Sequence, residues 1–279
     1  NFPVSNKDLF YREVDIWINK LPRLIESINF RKSNKNYEKN DDKIKPIFIV
    51  GVPRCGSTLI EKVVASGTKH IPIGEETDVL RNFVAQMIKQ NSFSNLDIKD
   101  LKTKIIKKFY QKELIQEKSD YIFTDKSLDN FFYIGLIYEM FPNAKVINCK
   151  RNPLSQIMSI FKNIFRTIPW GHDLEHIFKY MDIYHGMIKN YKRKFPNLIY
   201  DLDYQDFVNN PEAESKKLLK FCNLPWDKKC LEYYKRKDII SKTASKLQIK
   251  NAIYKDSRNK YLPYKEFLYK YRSQYDWFK

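Results

Sequence analysis

The chain has 279 residues, enough for one large domain or two small ones and for a core that needs no disulfide or metal staple. Hydrophobic residues make up 43% and charged residues 30%, with 7 Gly and 12 Pro, which excludes collagen-like and Gly/Pro-rich disordered classes. Lys and Arg number 51 against 33 Asp and Glu, a formal net charge of +18; this favours a polyanionic partner (nucleic acid, a membrane surface or a phosphorylated small molecule), or reflects lysines spread over solvated faces.

In chain order, residues 7–30 form a helix, because Phe10, Val14, Trp17, Leu21, Leu24 and Ile28 recur at three- and four-residue steps. Pro22 is placed to kink or split it. Residues 31–45 are polar and charged and read as a linker, so that residues 1–45 are a helical extension and 46–279 the main domain. Pro46–Val50 is a short apolar run of the kind buried on both faces of a sheet, and a helix follows over 58–66. Residues 77–117 hold two or more helices, broken near 91–95. Tyr121–Thr124 is a second strand, 129–141 a helix, and Ala144–Cys149 a third strand. A helix starts near Pro153, helices continue over 173–194, Leu198–Leu202 is a fourth strand, and 211–222 and 227–236 are helical. Strands alternating with helices predict an α/β fold, a parallel sheet with helices on both faces.

No apolar run approaches the roughly 18 residues of a membrane helix. Cys55, Cys149, Cys222 and Cys230 are scattered, with no C-x-x-C pair, and read as reduced cysteines of an intracellular, cytoplasmic protein. The chain opens on Asn1 without a basic-then-apolar leader; the start reads as a trimmed or processed end, and no export signal is inferred.

Between the first strand and its helix lies Gly51-Val52-Pro53-Arg54-Cys55-Gly56-Ser57-Thr58. A loop in that context cradles phosphate with backbone N–H groups and the positive end of the helix dipole. Its G-x-x-x-x-G spacing is that of a nucleoside-triphosphate P-loop, but Ser57 stands where that loop needs Lys, while Thr58 keeps the hydroxyl. Arg54 supplies the cation instead. Two of only seven glycines fall here, which argues against an ordinary turn.

Pro53–Thr58 resembles the P-R-S-G-T-T-like loop of the sulfotransferase family, which holds the 5′-phosphosulfate of 3′-phosphoadenosine 5′-phosphosulfate (PAPS). Three further segments strengthen the resemblance. Arg151 ends the third strand and Ser159 lies eight residues on, the family's spacing for the pair on the 3′-phosphate; a planar guanidinium and a helix hydroxyl suit that task. Gly74-Glu75-Glu76-Thr77 is similar to the G-E-E-T segment of protein-tyrosine sulfotransferases, which makes Glu76 the implied catalytic base. Asp78 replaces the basic residue that often follows there. Lys126, at a strand's C-terminal end where open α/β sheets bind ligands, matches the lysine that contacts the transferring sulfuryl group.

The resemblance is softer beyond this point. Tyr204 corresponds to a tyrosine near the adenine. The segment 243–261 resembles the closing segment of bacterial sulfotransferases that carry tetratricopeptide repeats upstream, with Ser245, Lys250 and Lys260 as donor contacts. The resemblance implies a PAPS-dependent transferase with the sulfotransferase fold, needing no metal and no nucleic acid. Arg54, Cys55, Gly56, Ser57, Thr58, Arg151, Ser159, Tyr204, Ser245, Lys250 and Lys260 would hold the donor. Glu76, Arg54 and Lys126 would carry the chemistry, and the acceptor stays unidentified.

Two rivals remain: a P-loop kinase-like nucleotide enzyme, which would need Mg²⁺, and a non-enzymatic basic domain that binds polyanions. His172 and His176, four residues apart, lack a third ligand at clear spacing and read as polar helix residues.

Overall fold

A computed structural model describes residues 7–28, 43–67, 70–90, 96–115, 121–163, 165, 167–236 and 261–278. Its centre is a four-stranded sheet of β1 (Ile44–Gly51), β2 (Tyr121–Asp125), β3 (Lys145–Lys150) and β4 (Ile199–Asp203), in the order β2-β1-β3-β4. Every pairing is parallel, with Phe48 opposite Asp125 and Val146, and Cys149 opposite both Gly51 and Leu202. Parallel strands need crossovers, and helices supply them: α3 (Ser57–Ala65), α4 (Val79–Gln90) and α5 (Ile98–Gln111) between β1 and β2, α6 (Ile134–Met140) between β2 and β3, and α7 (Pro153–Asn163) and α8 (Leu174–Lys194) between β3 and β4. Then α9 (Tyr204–Asn209) and α10 (Pro211–Phe221) follow β4, and α11 (Lys265–Tyr269) lies near the end.

The continuous apolar run of β1 follows from this placement, since Ile47, Phe48, Ile49 and Val50 are all buried. Phe48 and Val50 face one core with α4–α8, where Phe109, Phe123, Phe141 and Phe178 pack; Ile47 and Ile49 face a second core with α3 and α10, built on Ile60, Val63, Leu218 and Phe207. Alternation across the strand thus places helices on both faces, as the sequence pattern predicts.

The N-terminal helix differs in detail from its expected form. Helices α1 (Lys7–Asp15) and α2 (Leu21–Ser27) are joined without a break by a π-helical turn, Ile16–Lys20. Pro22 sits in the first turn of α2, and the Leu21 N–H bonds the Ile16 carbonyl one residue further back than an α-helix would. The ladder is re-registered where proline lacks its donor. The linker expected over 31–45 is shorter at its end, since Ile44 and Lys45 already belong to β1; residues 29–42 lie outside the described residues.

Candidate active site

The motif residues gather at the C-terminal ends of β1, β2 and β3. Between β1 and α3 the chain turns through Arg54 at φ 72° and Gly56 at φ 96°. Both are left-handed, a conformation glycine takes at little cost and arginine does not. At Gly56 a side chain would also run into the ring of Tyr204, the first residue of α9. The loop is braced from α7, where the Gln156 amide donates to the carbonyls of Val52 at 2.8 Å and Pro53 at 3.3 Å. This geometry directs the first-turn amides of α3 toward a space where an anion would sit.

Four predicted donor contacts meet at that loop. Arg54 Nε donates to Ser159 Oγ at 3.0 Å, and Arg151 Nη1 donates to the Arg54 carbonyl at 3.0 Å. The Arg151 guanidinium lies over the Tyr204 ring, 5.3 Å from its centroid, a cation–π arrangement. Arg54, Arg151, Ser159 and Tyr204 are therefore one cluster. Cys55 is apart: its thiol is fully buried, turned under the loop toward Cys149 on β3, so only its backbone N–H is left for a phosphate. Ser245, Lys250 and Lys260 lie outside the described residues.

On the inner side, the segment carrying Gly74–Asp78 is laid along the end of β2. Thr124 N–H donates to the Pro72 carbonyl at 3.0 Å, Ile73 bridges Thr124 in parallel fashion, and Lys126 N–H donates to the Glu75 carbonyl at 2.7 Å. Gly74 is required by this approach, because a side chain there would meet the Thr124 carbonyl. Thr77 Oγ1 donates to Asp125 Oδ2 at 2.6 Å, and Asp78 N–H donates to Ser127 Oγ at 3.0 Å. Glu75 and Asp78 are both left-handed, at φ 49° and 54°, a strain these contacts hold.

The result is a pairing of the two predicted catalytic side chains: Lys126 Nζ stands 3.1 Å from Glu76 Oε1, with the lysine side chain 1% exposed and the glutamate 55% exposed. Burial opposes the charge on Lys126, but the Glu61 and Glu76 carboxylates outweigh it and hold its pKa above the ordinary value.

A cleft of about 370 Å³ opens here, lined by Arg54, Gly56, Ser57, Thr58 and Glu76 on one side. Trp17, Phe165, Trp170 and Tyr180 form an apolar wall, with Asp78, Arg81 and Asp129 between. Arg81 pairs with Asp78 at 2.6 Å and faces Asp129 at 3.6 Å. A larger cavity, about 730 Å³, lies at the opposite ends of the strands around Lys45, Ala144 and Leu198, with none of the motif residues in its wall.

Three contributors escaped the sequence reading. Gln156 braces the phosphate loop. Asp129 is buried in the cleft, and burial, partly opposed by Arg81, raises its pKa to about 7. Glu61 lies on the buried helix α3, where Oε1 accepts from Thr124 Oγ1 at 2.8 Å and from the Glu75 N–H at 3.0 Å. The signal for Glu61 was a charged pair, Glu61-Lys62, set between apolar residues of the helical run. His172 lies in a 3₁₀ turn and His176 in the first turn of α8, where Asp173 accepts from the His176 N–H. Among the described residues no His, Cys, Asp and Glu are grouped to hold a metal, and no helix is long and apolar enough to cross a membrane.

Sheet order, flanking helices and the loop after β1 define a sulfotransferase fold. The chain superimposes on the sulfotransferase domain from the curacin biosynthetic pathway over 78% of its length and 90% of that domain, with TM-score 0.54 and 20% identity. It matches the sulfotransferase domain of the Synechococcus PCC 7002 olefin synthase over 82% and 91%, with TM-score 0.55 and 18% identity.

The sequence-family model described as the sulfotransferase family matches residues 46–228, and the chain belongs to that family. It is 34% identical over 238 residues to an uncharacterised protein of Aquifex aeolicus (strain VF5), covering 80% of this chain and 31% of that protein. It is 25% identical over 200 residues to protein-tyrosine sulfotransferase A of Caenorhabditis elegans, covering 67% of this chain and 52% of that protein. The chain thus spans a third to a half of the length of these relatives.

Proposed function

We propose that the protein moves a sulfuryl group from PAPS to an acceptor hydroxyl or amine by in-line displacement. The carrying observation is that Glu76, paired with the buried Lys126 at 3.1 Å, lines the cleft that also exposes Arg54 and the loop after β1. The residues fit such a donor. A loop turned at Gly56, where a Cβ would run into the Tyr204 ring, suits the 5′-phosphosulfate, and the Arg54–Ser159–Arg151–Tyr204 cluster suits a second phosphate beside a flat base.

PAPS would supply the activated sulfuryl group: a new bond from the acceptor oxygen or nitrogen to sulfur forms as the bond from sulfur to the bridging phosphate oxygen breaks, leaving adenosine 3′,5′-bisphosphate. Glu76, half-exposed toward the cleft, takes the acceptor proton. Lys126 and Arg54, with the loop amides, stabilise charge that builds on the sulfuryl oxygens and the bridging oxygen. The apolar wall of Trp17, Phe165, Trp170 and Tyr180 would receive the body of the acceptor.

No metal enters this scheme. The test is incubation with ³⁵S-labelled PAPS and a mixed acceptor extract, with the labelled product identified by mass. Transfer of label supports the reading, and a protein that binds adenosine 3′,5′-bisphosphate without ever transferring label removes it.

A further inference from the structure

Glu61 stands behind the proposed reacting pair, in the second turn of α3, the helix whose first turn faces the proposed donor. Its side chain is buried, and a single oxygen, Oε1, accepts from Thr124 Oγ1 at 2.8 Å and from the Glu75 N–H at 3.0 Å. Those two donors belong to the two segments that carry the pair. Thr124 lies two residues before Lys126 on β2, and Glu75 immediately precedes Glu76. The same two segments are tied again where the Lys126 N–H donates to the Glu75 carbonyl at 2.7 Å. Glu75 is held between these bonds at φ 49°, a conformation that a glutamate adopts only under constraint.

We infer that Glu61 is a positioning residue of the proposed reaction: its carboxylate locks the Glu75 backbone so that Glu76 meets Lys126, and it stands as a second counter-charge on the inner side of that lysine. This rests on the sulfotransfer reading for its catalytic part, while the locking of the backbone stands on the hydrogen bonds alone. An ammonium that is 1% exposed needs compensation that water does not provide. Glu76 gives one counter-charge on the solvent side and Glu61 a second from the protein interior.

The groups that face Glu61 are Thr124 from β2 and Lys126 just after it, Glu75 from the loop before α4, the Cys149 thiol from β3 and its own neighbour Lys62 on α3. Burial raises the Glu61 pKa to about 7, against the pull of Lys126 and the Thr124 hydrogen bond. Its charge is therefore present above that pH and withdrawn below it.

Two variants separate the two roles. Glu61→Gln keeps a carbonyl oxygen as acceptor and removes the charge; Glu61→Ala removes both. In the full chain, amide hydrogen exchange of Glu75 and Lys126 should stay protected in Glu61→Gln and become at least about 10-fold faster in Glu61→Ala. With PAPS and an acceptor, Glu61→Gln should lower kcat about 10–100-fold, the scale of one charge-assisted contact, while KM for PAPS stays within about twofold. The alkaline limb of the kcat–pH profile should move to lower pH in this variant, as Lys126 loses its proton more readily.

A stability loss with an unchanged kcat–pH profile would make Glu61 merely structural and overturn the inference, as would unchanged exchange in Glu61→Ala. Should that variant fail to fold, the isosteric Glu61→Gln profile decides alone. If wild type transfers no sulfuryl group, the sulfotransfer reading falls, and the exchange data still decide whether Glu61 locks the loop.

Discussion

Arg54 and Ser159 are joined by a 3.0 Å hydrogen bond from Nε to Oγ, although one comes from the loop after β1 and the other from the middle of α7. The contact makes the two proposed ends of the donor site adjacent: the loop that would hold the 5′-phosphosulfate and the helix that would reach the 3′-phosphate. Arg151 closes the same cluster through the Arg54 carbonyl, so under the proposed function the site would select for a nucleotide carrying phosphates at both positions.

Adenosine 3′,5′-bisphosphate is accordingly expected to bind much more tightly than AMP. Arg151→Ala should reduce that preference about 10–100-fold, since a charge-assisted contact contributes about 1.5–3 kcal/mol. The ratio of the two affinities, measured by calorimetry, is the right observable, because Arg151 also steadies the loop and its loss weakens both nucleotides. Equal affinities in the wild-type protein would remove the assignment of Arg151 and Ser159.

The loop has Ser57 where a Mg-nucleotide loop needs Lys. Sulfotransfer should therefore proceed at the same rate in EDTA as in Mg²⁺. Activity lost in the chelator and restored by Mg²⁺ would favour the kinase-like rival.

Much of the frame was legible because it depends on local pattern. Ile47–Val50 is apolar without alternation, and only a strand covered on both faces has that demand; the loop after it announced itself through two scarce glycines. What stayed hidden depends on tertiary contact. Ile73 pairs with Thr124 across a single bridge, too short a segment to leave a period in the sequence. Gln156, Glu61 and Asp129 are polar residues whose burial is set by what packs over them, and helical periodicity reports the apolar face, not a buried carboxylate beside it. The turn at Ile16–Lys20 is a further case: proline signalled trouble in the helix, but only the shifted ladder shows how the trouble is absorbed.

Asp129 gives the fold a pH dependence of known sign. Burial raises its pKa from 3.8 to about 7, against the pull of Arg81, so between those values the folded state keeps a proton that the unfolded chain has released. Stability contributed by this group is full below the unfolded value and is lost as pH rises toward about 7. Asp129→Asn, which stays neutral, should escape that loss: its advantage over wild type in denaturant midpoint should grow as pH is raised through the window up to about 7 and then level off. Glu61 adds a slope of the same sign, which this variant leaves in place. A difference between the two proteins that does not change with pH would show that Asp129 is ionised throughout.

The decisive residue for the proposed chemistry is Glu76. An acceptor hydroxyl is a weak nucleophile until its proton is taken, and a positioned carboxylate contributes about 10²–10⁴-fold. Glu76 is placed for this: its side chain is 55% exposed and touches Lys126 at 3.1 Å. Its neighbour Glu75 acts through the backbone, donating to Glu61 and accepting from Lys126. Glu76→Gln should therefore leave adenosine 3′,5′-bisphosphate affinity within about twofold while lowering kcat by the stated ~10²–10⁴-fold. Glu75→Gln, which keeps both backbone bonds, should have the smaller effect. Calorimetry and initial rates on the same preparations separate binding from turnover. Near-normal turnover in Glu76→Gln would move the base elsewhere, with Glu75 the next carboxylate to test. Loss of nucleotide binding along with turnover would instead make Glu76 a structural partner of Lys126, and the acceptor proton would need another destination.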